Sequence, residues 1–172
     1  MSSLQYFSTN FYSIKKPHPI LLTAGSNPHQ ITMAHTQSLM VGGVYRTEAN
    51  CRFWSQSNKE GYCCAPPCHG KQIRGDILHI LAFCPALRET RVRLLDFMFS
   101  FSEQNPIISS LVNKYLLGEK SLFVQFILDC SCLSDVVSLC QAQGQNILYL
   151  LFKITRTYCH GIHRARLSLQ SN

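Results

Sequence analysis

Gly61-Tyr62-Cys63-Cys64-Ala65-Pro66-Pro67-Cys68, a polar loop, and then Asp76-Ile77-Leu78-His79-Ile80-Leu81-Ala82-Phe83-Cys84-Pro85-Ala86-Leu87-Arg88-Glu89-Thr90-Arg91 form the stretch around which this chain is organised. It offers four soft donors at metal-site spacing: Cys63 or Cys64, Cys68, His79 and Cys84. A thiolate pair around a Pro-Pro turn, followed by His-x4-Cys, is the pattern of a small structural zinc site with four tetrahedral ligands. The turn brings the first two donors together. His79 and Cys84 stand five positions apart, so they can meet one ion from the last turn of a short helix and the residue beyond it. Pro85 then resets the chain for a new helix. The competing reading makes these core residues. Buried free cysteine is a common small filler, the chain has nine cysteines, and His79 lies in the apolar run Ile77, Leu78, Ile80, Leu81.

Outward from that stretch, length and composition set the limits. The 172 residues fit one domain, or a small knuckle attached to a helical one. Hydrophobic residues at 46% suffice for a core, and charged residues at 15% are few. A net charge of +7 and a pI near 9.0 favour polyanionic partners, nucleic acid (RNA or single-stranded DNA) before an acidic membrane. The segment 1–26 has no apolar signal-peptide core. The longest uninterrupted apolar run near the end, Ile147 to Phe152, is too short to span a bilayer. An odd cysteine count without a secretory signal points to a reducing compartment. The expectation is an intracellular protein, nuclear or cytoplasmic, not secreted, with no membrane and no small-molecule substrate.

The flanking sequence reads as mostly α: a small helical domain with a zinc-knuckle-like CCHC insertion and a long C-terminal helix. Residues 1–27 form an extended aromatic arm (Leu4, Tyr6, Phe7, Phe11, Tyr12), with Pro17 and Pro19 holding the Lys15 to Ile20 stretch extended. Residues 28–60 are a helical segment. Asn27 caps and Pro28 opens its first helix, Gly42-Gly43 ends it, and Ile31, His35, Leu39 and Met40 mark its face. A second helical piece is expected from Val44 to Trp54. Residues 61–87 are the CCHC segment and 88–172 the helical domain. There Asn105-Pro106, Ser134 and Gly144 punctuate helices, and Ile147, Leu148, Leu151, Ile154, Tyr158 and Ile162 stripe the last one.

Two basic groups are candidate nucleic-acid contacts: Arg88, Arg91 and Arg93 directly after the knuckle, and Arg156, His163, Arg164 and Arg166 toward the end of the last helix. Tyr158 or Trp54 could stack on an unpaired base. Catalytic patterns are lacking. The four aspartates (Asp76, Asp96, Asp129, Asp135) are dispersed, whereas two-metal phosphoryl transfer needs clustered carboxylates. No P-loop or nucleophile elbow occurs. The chain is expected not to be an enzyme by itself.

In order and spacing, a series of short segments resembles the region beyond the polymerase of endonuclease–reverse transcriptase polyproteins from animal non-LTR retrotransposons. They are Leu4-Gln5-Tyr6-Phe7, Pro17-His18-Pro19-Ile20, Thr23-Ala24-Gly25-Ser26-Asn27-Pro28, Tyr45-Arg46-Thr47-Glu48, Cys51-Arg52-Phe53-Trp54-Ser55, Gly61-Tyr62-Cys63, Gly75-Asp76-Ile77-Leu78-His79, Cys84-Pro85-Ala86-Leu87, Val124-Gln125-Phe126-Ile127-Leu128-Asp129, Thr155-Arg156-Thr157-Tyr158 and Ile162-His163-Arg164. The resemblance implies a zinc-stabilised tail that binds template or element RNA, with one structural zinc on Cys63, Cys68, His79 and Cys84. The pattern departs at Cys64, where an apolar residue is expected, at Leu78, where an acid commonly precedes the histidine, and at Cys130, where proline commonly follows Leu-Asp. The polymerase and endonuclease residues of that family lie outside this chain, so their activities are not implied for it. The alternative is a helical structural or protein-interaction domain with core cysteines and no metal.

Overall fold

The structure, a computed structural model, describes residues 18–49 and 61–170. Residues 1–17 of the aromatic arm, and Cys51 to Trp54 of the second expected helix, lie outside the described residues. Among the described residues seven α-helices follow in order: α1 (Pro19–Leu22), α2 (Pro28–Val41), α3 (Arg88–Ser102), α4 (Pro106–Leu117), α5 (Lys120–Asp129), α6 (Ser134–Gln143) and α7 (Asn146–Gln170). The described residues between α2 and α3 are mostly irregular, with single helical turns at Pro66–Cys68, His79–Phe83 and Pro85–Leu87.

The helix starts are written locally. Asn27 accepts hydrogen bonds from the backbone N–H groups of His29 and Gln30 at 2.9 and 3.2 Å, and Asn105 does the same for Ile107 and Ile108. Each satisfies donors that have no partner inside the helix, and proline follows at the first helical position. Two expectations are corrected. Pro19 opens the helical turn α1, because the His18 ring accepts from Ile20 N–H and caps it. The Val44 to Thr47 stretch is irregular instead of helical.

The longest helix, α7, packs against α2, α3, α5 and α6. All six residues of its expected apolar stripe are buried. Being surrounded, it also buries Phe152, Thr155, Arg156 and Cys159 outside that stripe. Helix α3 runs antiparallel to it: Lys153 lies 5.3 Å from the Phe101 ring, and Leu94 meets Gly161. A Cβ at Gly161 would come within 2.7 Å of the Leu94 side chain, so glycine sets how closely the two helices approach.

The buried face of α2 matches the expected one only at Met40 and, partly, Leu39. Ile31 and His35 are exposed, while Met33, Ala34, Thr36, Gln37, Met40 and Val41 are buried. Polar Gln37 is inside because its Nε2 reaches the Ile127 and Leu128 carbonyls at 2.8 and 3.1 Å and Thr155 Oγ1 at 3.1 Å. These carbonyls lie near the end of α5, where helical partners run out.

The window 120–143 is long and apolar enough to cross a membrane by length and composition. In the fold it spans α5, a turn at Cys130–Cys132 and α6, and 56% of its most apolar 18-residue stretch is buried inside the molecule.

Arg156 was expected at the surface and is 1% exposed. Its Nε donates to Phe152 O at 2.9 Å, Nη1 to Thr23 O at 3.2 Å and to Gln30 Oε1 at 3.4 Å, and Nη2 to Thr23 Oγ1. It therefore ties α7 to the end of α1 and the first turn of α2. Arg156→Met leaves these acceptors without donors and should cost about 2–4 kcal/mol, read as a lower urea midpoint. Arg164→Gln, at an exposed site, should stay within about 0.5 kcal/mol.

Candidate metal centre

The segment that carries the donors is shaped by its backbone. Tyr62 and Arg74 form an antiparallel bridge, and Cys63 N–H donates to Ile73 O at 2.8 Å, closing the loop between the first two donors and the last two. Pro66 and Pro67 start a one-turn helix that delivers Cys68. Asp76 Oδ1 then caps the next turn by accepting from His79 N–H at 2.9 Å. That turn, His79–Phe83, is wound wide, and Cys84 N–H donates to His79 O at 2.7 Å. A bond from a residue to the one five before it is the π-helical pattern, which occurs in single turns and often at functional sites. Pro85 stops the turn and holds Cys84 extended.

The result brings Cys63, Cys68, His79 and Cys84 together, all buried, with donor atoms within 4.8 Å of one another. Cys63 Sγ is 3.9 Å from Cys84 Sγ, Cys68 Sγ is 4.0 Å from Cys84 Sγ, and Cys68 Sγ is 3.5 Å from His79 Nε2. A tetrahedral ion with metal–sulfur bonds of ~2.3 Å and a metal–nitrogen bond of ~2.0 Å separates sulfurs by about 3.8 Å and sulfur from nitrogen by about 3.5 Å. The group could hold one metal ion. The sulfurs are far beyond the ~2.05 Å of a disulfide. The ligand left open between two cysteines is Cys63: Cys64 is exposed, with Sγ 3.6 Å from Tyr62 O.

Burial pushes the Cys63 and Cys68 thiols up, and the neighbouring Cys84 sulfur adds to the effect. Burial opposes ionisation of Cys84 too, but its hydrogen bonds with His79 and with the Ala86 backbone outweigh it and bring this thiol to about 7.

The expected basic residues divide. Arg88, Arg93 and Arg164 are exposed, with Arg93 in a solvent-facing 2.8 Å pair with Glu89. Because α3 and α7 are antiparallel, the start of α3 and the end of α7 share one end of the molecule, and Leu87, Arg166 and Leu169 line one cavity there with Cys63 and Cys84. Arg91 is half-buried, and burial lowers its pKa. Arg166 is a correction: it is 9% exposed, its Nη2 lies 3.0 Å from Glu48 Oε2, and its Nη1 donates to Arg46 O. His163 Nδ1 lies 3.0 Å from Tyr45 Oη, and burial, with Arg166 and Arg164 nearby, lowers the histidine's pKa. Both effects disfavour its cationic form. Tyr158 cannot stack on a base, being fully buried with its hydroxyl donating to Leu81 O at 2.8 Å. The sequence reading passed over Lys71 and Arg74, both exposed on the loop between the donors; the signal was a basic pair between ligand positions.

Among protein-family models, curated proteins and solved structures, none matches this chain.

Two measurements check the centre. Cys68→Ser should abolish stoichiometric metal in protein purified under reducing conditions, and Cys64→Ser should leave it intact, both read by elemental analysis. Uptake of one divalent ion at pH 8 should release about two protons, from Cys63 and Cys68, because bound thiols are deprotonated. The release should rise toward three as pH falls through 7, where Cys84 also becomes protonated in the metal-free protein. Affinity therefore falls with acid.

Proposed function

We propose that this chain is a zinc-stabilised, non-catalytic helical module that binds single-stranded nucleic acid, of the kind found beyond the polymerase in non-LTR retrotransposon polyproteins. One observation carries the reading: a buried Cys3His group at the end of the molecule where exposed cations gather. Three thiolates and an imidazole in tetrahedral array are a zinc donor set. Arg88, Arg93 and Arg164, with Lys71 and Arg74 of the metal loop, are the cations available to phosphates. The net charge of +7 supports a polyanionic partner. Three of the four aspartates have other work: Asp76 caps the His79 turn, Asp129 is buried with His18 and Ser131, and Asp135 pairs with Lys114, while Asp96 is exposed on α3.

A protein-interaction role is favoured by a different feature, an open, mostly apolar groove of about 680 Å³ between α1, α6 and the start of α7, with Leu22, Val137 and Tyr149 on its walls. RNA binding separates the two. Zinc-loaded protein should bind single-stranded RNA with little sequence dependence beyond any base pocket, and steeply less in salt. Substituting Arg88, Arg93 and Arg164 together with glutamine should weaken binding and flatten the log–log salt slope by up to about 2, at ~0.7 per lost phosphate contact, with zinc retained. Wild-type protein that ignores RNA at low salt would assign it to the interaction class.

A further inference from the structure

At four-residue steps along α3, Arg93, Phe97 and Phe101 form one row on the flank turned toward α7. Leu94 meets Gly161 beneath that row, and Lys153 lies over Phe101 at its far end. The row therefore borders the outer face of α7, where the exposed Lys153 and Arg164 and the half-buried Thr157 align at helical spacing. Because the two helices are antiparallel, Arg164, three residues past Gly161, is level with the first turn of α3.

The two rings in the row are unlike. Phe101 is half-buried, with Lys153 Nζ 5.3 Å from its centroid, a cation–π contact that keeps the ammonium group at this place. Phe97 is 42% exposed, and its ring lies 6.0 Å from that of Phe101. A lone exposed ring is ordinary on a protein surface. This one has a cation on either side along its row, Lys153 at Phe101 and the exposed Arg93 one turn before it. Of the nearby acids, Glu89 pairs with Arg93 through a solvated contact. Asp96 is turned about 100° away from Phe97 around the helix. An apolar partner would have to strip water from these cations without compensation. A flat ring flanked by phosphate suits them.

Resting on the nucleic-acid reading, we propose that Phe97 is a platform on which one unpaired base of single-stranded RNA stacks, with Lys153 meeting its phosphate. From there the strand runs between α3 and the outer face of α7 toward Arg93 and Arg164, and so to the metal end of the molecule. Every base has a π-face, so the platform selects unpaired over paired bases and not one base over another.

The test measures, by fluorescence anisotropy, binding of zinc-loaded protein to a labelled single-stranded RNA of mixed sequence and to the same sugar–phosphate chain without bases. Phe97→Leu keeps apolar bulk at an exposed position and removes the π-face. It should weaken binding to the strand with bases about tenfold, leave the log–log salt slope unchanged, and make no difference on the base-free chain. Phe97→Trp should bind at least as tightly as wild type. Lys153→Gln should weaken binding to both strands and lower the slope by about 0.7. Unaltered affinity of Phe97→Leu for the strand with bases would overturn the platform while the general nucleic-acid reading stands. So would an equal loss on both strands, which would mark the substitution as a structural disturbance. Wild-type protein that binds neither strand would overturn the nucleic-acid reading, and this inference with it.

Discussion

The demand that four soft donors converge within 4.8 Å constrains the chain from Tyr62 to Cys84. The chain meets it with two local devices. The Tyr62–Arg74 bridge closes the loop, and the wide His79–Phe83 turn sets a five-residue offset between histidine and cysteine. Neither device is stable as an isolated peptide: a single bridge and a single turn fix many dihedral angles for few hydrogen bonds. Stability comes from what lies beneath. Ile80 and Leu81 are buried in the common core, and the Tyr158 hydroxyl of α7 donates to the Leu81 carbonyl, which the π turn presents to it. A metal ion on the four donors would therefore hold from one side the turn that the long helix holds from the other.

How legible this was depended on whether the signal was local. The Asn-Pro pairs at 27–28 and 105–106 announce helices because cap and first residue are covalent neighbours. The His79 to Cys84 spacing announces a shared ion for the same reason. The face of α2 was misread because Gln37 and Thr36 look like surface residues. Only the carbonyls near the end of α5, some 90 residues away, make the core polar enough to accept Gln37. The burial of Arg166 was open to inference: it follows Tyr158 and Ile162 at four-residue steps and so continues the apolar stripe. Arg156 was not, since its partners Thr23 and Gln30 lie on elements whose docking the sequence does not reveal.

Positive charge in this protein consequently has two jobs that composition cannot separate. Arg156 and Arg166 act as cross-links, directing several fixed donors at carbonyls, side-chain oxygens and one carboxylate from within the core. A planar guanidinium suits this, since its fork presents five donors and holds its charge even when buried. Exposed Arg93 pairs with Glu89, a contact too solvated to hold the side chain firmly.

The metal centre sharpens that division. Three thiolates on one divalent ion leave a unit of negative charge, buried where it would repel a phosphate backbone. Lys71 acts on Cys68 and favours its ionised form, and the half-buried Arg91 feels the Cys84 sulfur. With an ion bound, both would offset part of that charge, which lessens the share that Lys71 offers to a phosphate without removing it. Glu48 adds negative charge on the inner side, where Arg166 compensates it. What remains to act outward is the set of guanidinium groups projecting from the start of α3 and the end of α7. A polyanion drawn to this end would meet the exposed Arg88, Arg93 and Arg164 before the buried thiolates.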